Sequence, residues 1–190
     1  MHKRTVRPRP VPRWPVGHLG WAFAGLAEFE GRTSSFLAEG RARGERLIFV
    51  ADDPRAGLWP SDLVERGALL VLSTAEVYGP ERMVVASTQQ ATFEEALADA
   101  LALGYTGLRV AADNTSLTVG ADRLEAWRRW EEQADLLMQS RPITGLCAFD
   151  QTRIDTGTLD TVMSLHRTGP PPLFDEPRPP VPPEEWGGTR

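Results

Sequence analysis

Three side chains of this sequence could act as nucleophile, base or metal ligand. Cys147 is the single cysteine, and His18 and His166 are the two histidines that lie outside the N-terminal arm. A thiol nucleophile needs a histidine within reach, and these residues could also ligate a metal ion, but their spacing matches no common zinc pattern. A free cysteine in an apolar strand is most often a small buried hydrophobe. We therefore predict neither a nucleophile nor a metal site, and interpret these residues as lining a pocket.

A charged side chain stands inside an apolar segment. Arg109 lies within Gly107–Ala112, which is predicted to be a strand buried on both faces. Because an unpaired buried guanidinium is costly, Arg109 should meet a carboxylate. Glu131 on the following helix and Asp113 at the strand end are the candidates, and we predict a buried Arg109–Glu131 pair. Two roles stay open for this pair: a structural ion pair, or a clamp for an anionic or carboxylate group.

Polar residues also follow the predicted strands. Ligands of parallel sheets bind at the carboxyl ends of the strands, where Asp52-Asp53, Asp113-Asn114 and Asp150 are expected. Acidic residues there could hold Mg²⁺ in an ATPase, whereas Asp and Asn at such positions commonly stabilise turns. We favour the turn role. The predicted ligand-binding residues are His18, Arg109, Asp113, Glu131, Cys147, Asp150 and His166.

The elements that must position these residues alternate between strand and helix. Continuous apolar runs at 46–51, 107–112 and 143–149 are typical of buried strands, and residues 18–24 and 68–72 are further strand candidates. Residues 82–87 are also predicted to be a short strand. Helical patterns follow, the longest at about 120–139, and one helix is predicted to begin at Thr92. This order predicts a three-layer α/β/α fold with a mostly parallel central sheet.

Charge and proline content divide the 190 residues into three parts. Residues 1–16 form a Pro-rich arm with five basic and no acidic side chains, and 169–190 form a Pro-rich tail. Twelve of the 16 prolines lie in these two segments. We predict a folded domain at 17–168 between solvated arms, because proline-rich polar segments bury little apolar area. The tail is expected to be a tether or a loosely docked arm.

Composition excludes several classes of protein. The net charge of −5 disfavours non-specific binding to nucleic acid, and no window approaches eighteen consecutive apolar residues, so we predict no membrane segment. One cysteine permits no internal disulfide. Arginines and prolines stand where the apolar core of a secretory signal would lie, so the protein is expected to be cytoplasmic.

Six short features, taken together, resemble one known family. The helix-to-strand segment 36–51, with Phe36-Leu37, Gly40 and Gly44-Glu45, is similar to the corresponding part of the RecA/KaiC-like fold. The order of features more specifically resembles the MEDS domain, the sensory domain named after methanogens, methylotrophs and the regulator DcmR. The matching features are His18, the segment 36–45, Gly107-Leu108-Arg109, Trp130-Glu131, Leu146–Asp150 and His166.

The RecA/KaiC resemblance raises the question of a nucleotide site. A phosphate loop needs the pattern G-x-x-x-x-G-K-[ST], in which backbone amides and a lysine hold the phosphates. The corresponding residues here, Gly25–Thr33, have a glycine spacing that is one residue too long, an arginine instead of lysine, and carboxylates at Glu28 and Glu30. We interpret this segment as a degenerate P-loop and expect no cofactor.

The MEDS resemblance implies a non-catalytic sensory or regulatory domain. It would bind a small organic molecule and signal through a partner such as a kinase, a STAS-type protein or a transcriptional regulator. Two alternatives from other classes remain open. One is an interaction adaptor without a ligand, and the other is an enzyme with residual ATPase or Cys147-dependent activity.

Overall fold

The computed structural model describes residues 15–166 together with Val181 and Trp186, and these residues form alternating strands and helices. The predicted alternation is confirmed. The strands are β1 (His18–Phe23), β2 (Arg46–Ala51), β3 (Leu69–Ser73), β4 (Leu108–Asp113) and β5 (Ile143–Asp150). The helices are α1 (Leu26–Ala42), α2 (Ser61–Glu65), α3 (Thr74–Tyr78), α4 (Ala86–Ala102), α5 (Ala121–Ser140) and α6 (Thr156–Ser164).

The five strands pair in the order β1-β5-β4-β2-β3, and every pairing is parallel. Parallel pairing requires a crossover after each strand, and helical segments supply these crossovers. Strands β4 and β5 are central, and every residue of each is buried except the last, as expected for strands that are covered on both faces. The sequence-based prediction of a mostly parallel sheet is confirmed.

Helices cover both faces of the sheet and make the fold three-layered. Helices α1 and α2 pack on one face, and α4, α5 and α6 pack on the other. Strand β4 shows the alternation: Leu108 and Val110 belong to the core beneath α4 and α5, whereas Ala111 belongs to the core beneath α1. The predicted α/β/α architecture is therefore confirmed.

The segment between β3 and α4 differs from the prediction. Residues 82–87 do not form a strand, and α4 begins at Ala86 rather than near Thr92. Arg82 has a φ of 51°, a left-handed conformation that interrupts an extended run. The buried Gln89 side chain donates a hydrogen bond to the Val77 carbonyl at 3.0 Å and ties the first turn of α4 to α3.

The segment compared with a phosphate loop is mostly helical. Only Ala24 and Gly25 separate β1 from α1, and Gly25 has a φ of 94°, which a glycine adopts without strain. The Glu28 carboxylate accepts a hydrogen bond from the Ala24 N–H at 2.9 Å. A negatively charged side chain of the protein thus lies at the helix N-terminus, where backbone amides would otherwise attract a phosphate.

This geometry predicts that ATP and GTP do not bind, with or without Mg²⁺. A phosphate at the α1 N-terminus would meet the Glu28 carboxylate at close range, and the two-residue connection offers no loop to surround it. Isothermal titration calorimetry should therefore show no saturable heat. A micromolar dissociation constant for either nucleotide would contradict the prediction.

Two residues of the C-terminal tail pack on the domain. Trp186 is 3% exposed, and its ring meets that of Trp59 edge-on with centroids 5.9 Å apart. The Trp186 indole donates to the Val181 carbonyl at 3.0 Å, and the Val181 N–H donates to Ser34 Oγ on α1 at 3.1 Å. At these two residues the tail contacts the domain, as a docked arm would and a free tether would not. Residues 1–14 of the basic arm and the rest of the tail lie outside the described residues.

A membrane-spanning helix is absent from the described part of the chain, since none of its helices combines the necessary length and apolar character.

Candidate functional site

Four of the predicted ligand-binding residues meet in one buried cluster on the α5 side of the sheet. His18 opens β1, and Cys147 lies on the neighbouring strand β5, in register with Gly20. Every second residue of a strand points to the same face, and β1 and β5 are parallel neighbours. The same face of the sheet therefore carries His18, Gly20 and Cys147. Glu131 reaches this face from α5, and His166 follows the end of α6. We call these four residues, His18, Glu131, Cys147 and His166, the polar cluster.

The polar cluster is compact. The Glu131 Oε2 atom lies 2.9 Å from His18 Nε2 and 2.9 Å from His166 Nε2, and Cys147 Sγ lies 3.5 Å from His18 Nε2. One donor atom from each residue can be chosen so that all four lie within 4.8 Å of one another. All four side chains are buried. Such a concentration of ionisable groups away from water requires a compensating arrangement.

Two structural features orient His166. Its Nδ1 lies 2.7 Å from the Val162 carbonyl, so Nδ1 carries the hydrogen and donates, which leaves Nε2 to face the polar cluster. The ring also passes close over Gly20, where an added Cβ would lie 2.6 Å from His166 Cβ and Cγ. Position 20 therefore has to be glycine for His166 to reach the cluster in this orientation.

The pKa values of the cluster residues follow from burial and from their mutual contacts. Burial by itself raises the pKa of the Glu131 carboxyl, but the imidazoles of His166 and His18 outweigh this effect and lower the pKa to about 2. Burial and the Glu131 charge raise the pKa of the Cys147 thiol well above its ordinary value. The isolated cluster therefore contains a carboxylate and a protonated thiol, and such a thiol is a poor nucleophile.

A cavity of about 320 Å³ opens beside the polar cluster. His18, Glu131 and Cys147 line it on the β1–β5 side, and Leu70 and Leu72 line it on the β3 side of the sheet. Most of the remaining wall is apolar and comes from the strands and from α3, α4 and α5; it includes Ile48, Val110, Val77, Phe93, Ala96 and Trp130. The cavity thus combines an apolar wall with a few polar groups, which is typical of sites for small molecules.

The prediction that Arg109 pairs with Glu131 is wrong. Arg109 is fully buried, but it faces α1, on the opposite side of the sheet from Glu131. Its Nε donates to Glu45 Oε2 at 2.5 Å, and its guanidinium lies over the Phe36 ring at 4.6 Å from the centroid. The prediction failed because it placed Arg109 on the face covered by the next helix, whereas Leu108 and Val110 occupy that face.

Asp113 and Asp150 do not join the polar cluster. The Asp113 carboxylate accepts a hydrogen bond from the Thr115 N–H at 3.0 Å, and Asp150 accepts one from the Thr152 N–H at 2.9 Å. Burial raises the pKa of the Asp113 carboxyl. Both residues stabilise the turns after their strands, and neither lines the cavity. With Arg109 on the other face, the structure brings four of the seven predicted residues together.

The cavity residues on α3 and α4 were not predicted from the sequence. Val77, Tyr78, Thr92, Phe93 and Ala96 all line the cavity. They were not recognised because the wrongly predicted strand at 82–87 stood between Tyr78 and the helix that carries Phe93. The two segments were therefore not expected to line one cavity. If residues 86–97 are taken as helical, Gln89, Phe93 and Leu97 fall on one face. That spacing is the sequence signal that predicts a helix here.

Comparison with known families agrees with the resemblance found in the sequence. The model of the family described as "MEthanogen/methylotroph, DcmR Sensory domain" (MEDS) matches residues 17–167. The match includes every residue of the polar cluster and every strand of the sheet. A search of curated proteins found no match for the chain.

Proposed function

The chain belongs to the MEDS family of sensory domains, and from this premise we propose that it detects a small organic molecule in the cavity beside the polar cluster. The RecA/KaiC-like relationship and the degenerate P-loop remain interpretations. The observation that carries the proposal is the cavity itself, which lies between the sheet and α3, α4 and α5.

The lining of the cavity defines the class of molecule. A small occupant would bury its apolar part against side chains such as Ile48, Val110 and Phe93. Its polar group would face His18 and Glu131, which can donate and accept hydrogen bonds. We therefore propose a compact, mainly apolar molecule with a single polar or halogen substituent. Small alcohols and halocarbons fit this description.

The position of the cavity suggests how binding is transmitted. Helices α3 and α4 form its wall opposite the sheet, and their contact runs through the Gln89 to Val77 hydrogen bond. An occupant that contacts Val77 and Phe93 would favour one arrangement of these helices over others. We propose that a signalling partner, such as a kinase, a STAS-type protein or a transcriptional regulator, responds to that change.

A Cys147-dependent enzyme is the less favoured alternative. Cys147 Sγ lies 3.5 Å from His18 Nε2, which resembles a nucleophile beside its base. However, the Glu131 carboxylate and burial both raise the pKa of the thiol, which opposes formation of the thiolate. Because the raised pKa keeps the thiol protonated, a non-catalytic role for Cys147 is favoured.

A thermal-shift screen of small alcohols, halocarbons, amines and organic acids tests the proposal. A compound at 100 times its dissociation constant should stabilise the fold by about 2.7 kcal/mol, which corresponds to a rise in Tm of roughly 5–10 °C. Alcohols and halocarbons should give the largest shifts, because most of the cavity wall is apolar. If no compound of the panel raises the Tm, an adaptor without a ligand becomes the better explanation.

A pair of matched variants tests whether the cavity is the binding site. Ala96 lines the cavity, whereas Ala98 on the same helix is exposed. Ala96→Phe should fill the cavity and abolish the ligand-induced rise in Tm, and Ala98→Phe should leave that rise unchanged. An equal rise in both variants would place the ligand elsewhere on the protein.

A further inference from the structure

The polar cluster offers a donor set that suits a transition-metal ion. His18 and His166 supply two imidazole nitrogens, Cys147 a sulfur and Glu131 a carboxylate oxygen. Zinc binds all three kinds of donor, at about 2.0–2.3 Å in a tetrahedron, so neighbouring donors lie roughly 3.3–3.8 Å apart. The observed separations of 2.9, 2.9 and 3.5 Å differ from these values by a few tenths of an ångström. The other donor pairs lie within 4.8 Å, so binding would draw the most distant of them together by about 1 Å.

Hydrogen bonding leaves the same atoms unsatisfied. Glu131 Oε2 and His166 Nε2 lie 2.9 Å apart, yet neither atom takes part in a hydrogen bond of acceptable geometry. Both atoms are buried, and buried polar atoms without partners are rare because they cost free energy. An ion between the donors would satisfy them together, since a ligand lone pair points at the metal and not at the neighbouring ligand.

The surroundings of the histidines fit ligation through Nε2. Metal-bound histidines usually donate their other ring N–H to a carbonyl or a carboxylate. His166 Nδ1 fits this pattern, since it donates to the Val162 carbonyl at 2.7 Å, whereas His18 Nδ1 has no hydrogen-bond partner among the described residues and lies 3.8 Å from Asp135 Oδ1. Both Nε2 atoms therefore face the centre of the polar cluster.

The charges of the cluster would balance around a divalent ion. Two neutral imidazoles, one carboxylate and one thiolate carry a total charge of −2, which a divalent cation neutralises. On binding, the metal–sulfur bond replaces the S–H bond of Cys147, and the released proton passes to solvent. The metal-bound site is neutral overall, whereas the metal-free cluster buries the charge of the Glu131 carboxylate.

From these observations we propose that His18, Glu131, Cys147 and His166 bind one divalent transition-metal ion of the zinc class. This departs from the expectation drawn from the sequence, which was that no metal site is present because the spacing along the chain matches no zinc pattern. The ligands come from β1, α5, β5 and the segment after α6, so only the fold brings them together. The proposal does not depend on the organic ligand, although the ion would lie at the polar side of the cavity.

Metal binding is measured on the full chain after removal of metal with a chelator. Titration with Zn²⁺ should saturate at one equivalent per chain and raise the Tm, whereas Mg²⁺ should do neither. Titration with Co²⁺ should produce a thiolate-to-cobalt charge-transfer band, which reports the bond to Cys147, the only cysteine. Absence of saturable Zn²⁺ binding, or of this band, in the wild-type chain would overturn the proposal.

Variants identify the ligands. Cys147→Ala and His166→Ala should each weaken Zn²⁺ binding by more than about 100-fold, because the loss of a direct ligand should exceed the 10–100-fold cost of losing an outer partner. His2→Gln is the matched control, since His2 is the third histidine of the chain, and it should bind Zn²⁺ like the wild type. Wild-type affinity in Cys147→Ala would overturn the proposed ligand set.

Gly20→Ala tests the geometry without removing a ligand. Its Cβ would displace the His166 ring and should weaken Zn²⁺ binding by about 10-fold or more, whereas Gly57→Ala, whose Cβ meets nothing within 4 Å, should not. Equal affinity in the two variants would contradict this role of position 20. The experiments contain no organic compound, so their failure would leave the proposed ligand-binding function to its own test.

Discussion

Glu45→Ala should lower the free energy of unfolding by about 3–5 kcal/mol, because it leaves a buried guanidinium without its carboxylate. Arg109 is fully buried, and its Nε contacts Glu45 at 2.5 Å. Its other two guanidinium nitrogens have no hydrogen-bond partner, so Glu45 is the main compensation for the charge. Chemical denaturation followed by circular dichroism measures the loss.

A double-mutant cycle measures the interaction free energy between Arg109 and Glu45 apart from their contacts with other residues. Arg109→Met removes the charge while it keeps an unbranched side chain against Phe36 and Gly40, so the double variant should cost clearly less than the sum of the single variants. The exposed Arg66–Asp62 pair on α2 serves as control, and its cycle should give a coupling near zero. Equal coupling in the two cycles would show that burial does not strengthen the Arg109–Glu45 interaction.

Trp186→Ala should destabilise the domain by about 3–5 kcal/mol, although it lies in the Pro-rich tail. The indole is 3% exposed, packs edge-on against Trp59 and donates a hydrogen bond to Val181. Truncation of the indole would leave a cavity beside the core beneath α1. The free energy of unfolding is again obtained by chemical denaturation.

Leu136→Ala is the control for Trp186, because Leu136 is 67% exposed and its truncation should change the stability little. Removal of residues 181–190 should destabilise the protein by at least as much as Trp186→Ala. If both the truncated chain and Trp186→Ala are as stable as the wild type, the tail does not contribute to the fold.

The sequence predicted the sheet well because its strands are long apolar runs. The segments at 46–51, 107–112 and 143–149 have no helical periodicity, and the fold uses them as β2, β4 and β5 within one residue of these bounds. The prediction failed at 82–87, where the apolar Met83, Val84 and Val85 suggested a strand. Arg82 instead has a positive φ and α4 begins at Ala86, where Gln89 donates a hydrogen bond to the Val77 carbonyl of α3, a contact that the local sequence pattern does not contain.

The candidate site was predicted only in part, and the reason is geometric. His18, Cys147 and His166 were chosen by residue type, and Glu131 as the predicted partner of Arg109 and by the family resemblance. Their convergence depends on the pairing of β1 with β5 and on where α6 ends, and these are contacts between distant parts of the chain. The predicted partner of Arg109 was wrong for the same reason. Alternation along β4 shows that Arg109 lies on the opposite face from Leu108 and Val110, but it does not show which helix covers each face.

Ligand binding in the cavity is the central claim, and methyl NMR of isoleucine tests it most directly. The chain contains three isoleucines, of which Ile48 lines the cavity, whereas Ile143 and Ile154 do not. Titration with each compound that raises the Tm should shift the Ile48 δ1-methyl signal saturably, and should move the other two signals little. In the Ala96→Phe variant, whose cavity is filled by the new side chain, the Ile48 signal should not shift. A stabilising compound that moves Ile143 or Ile154 but leaves Ile48 unchanged would contradict the account.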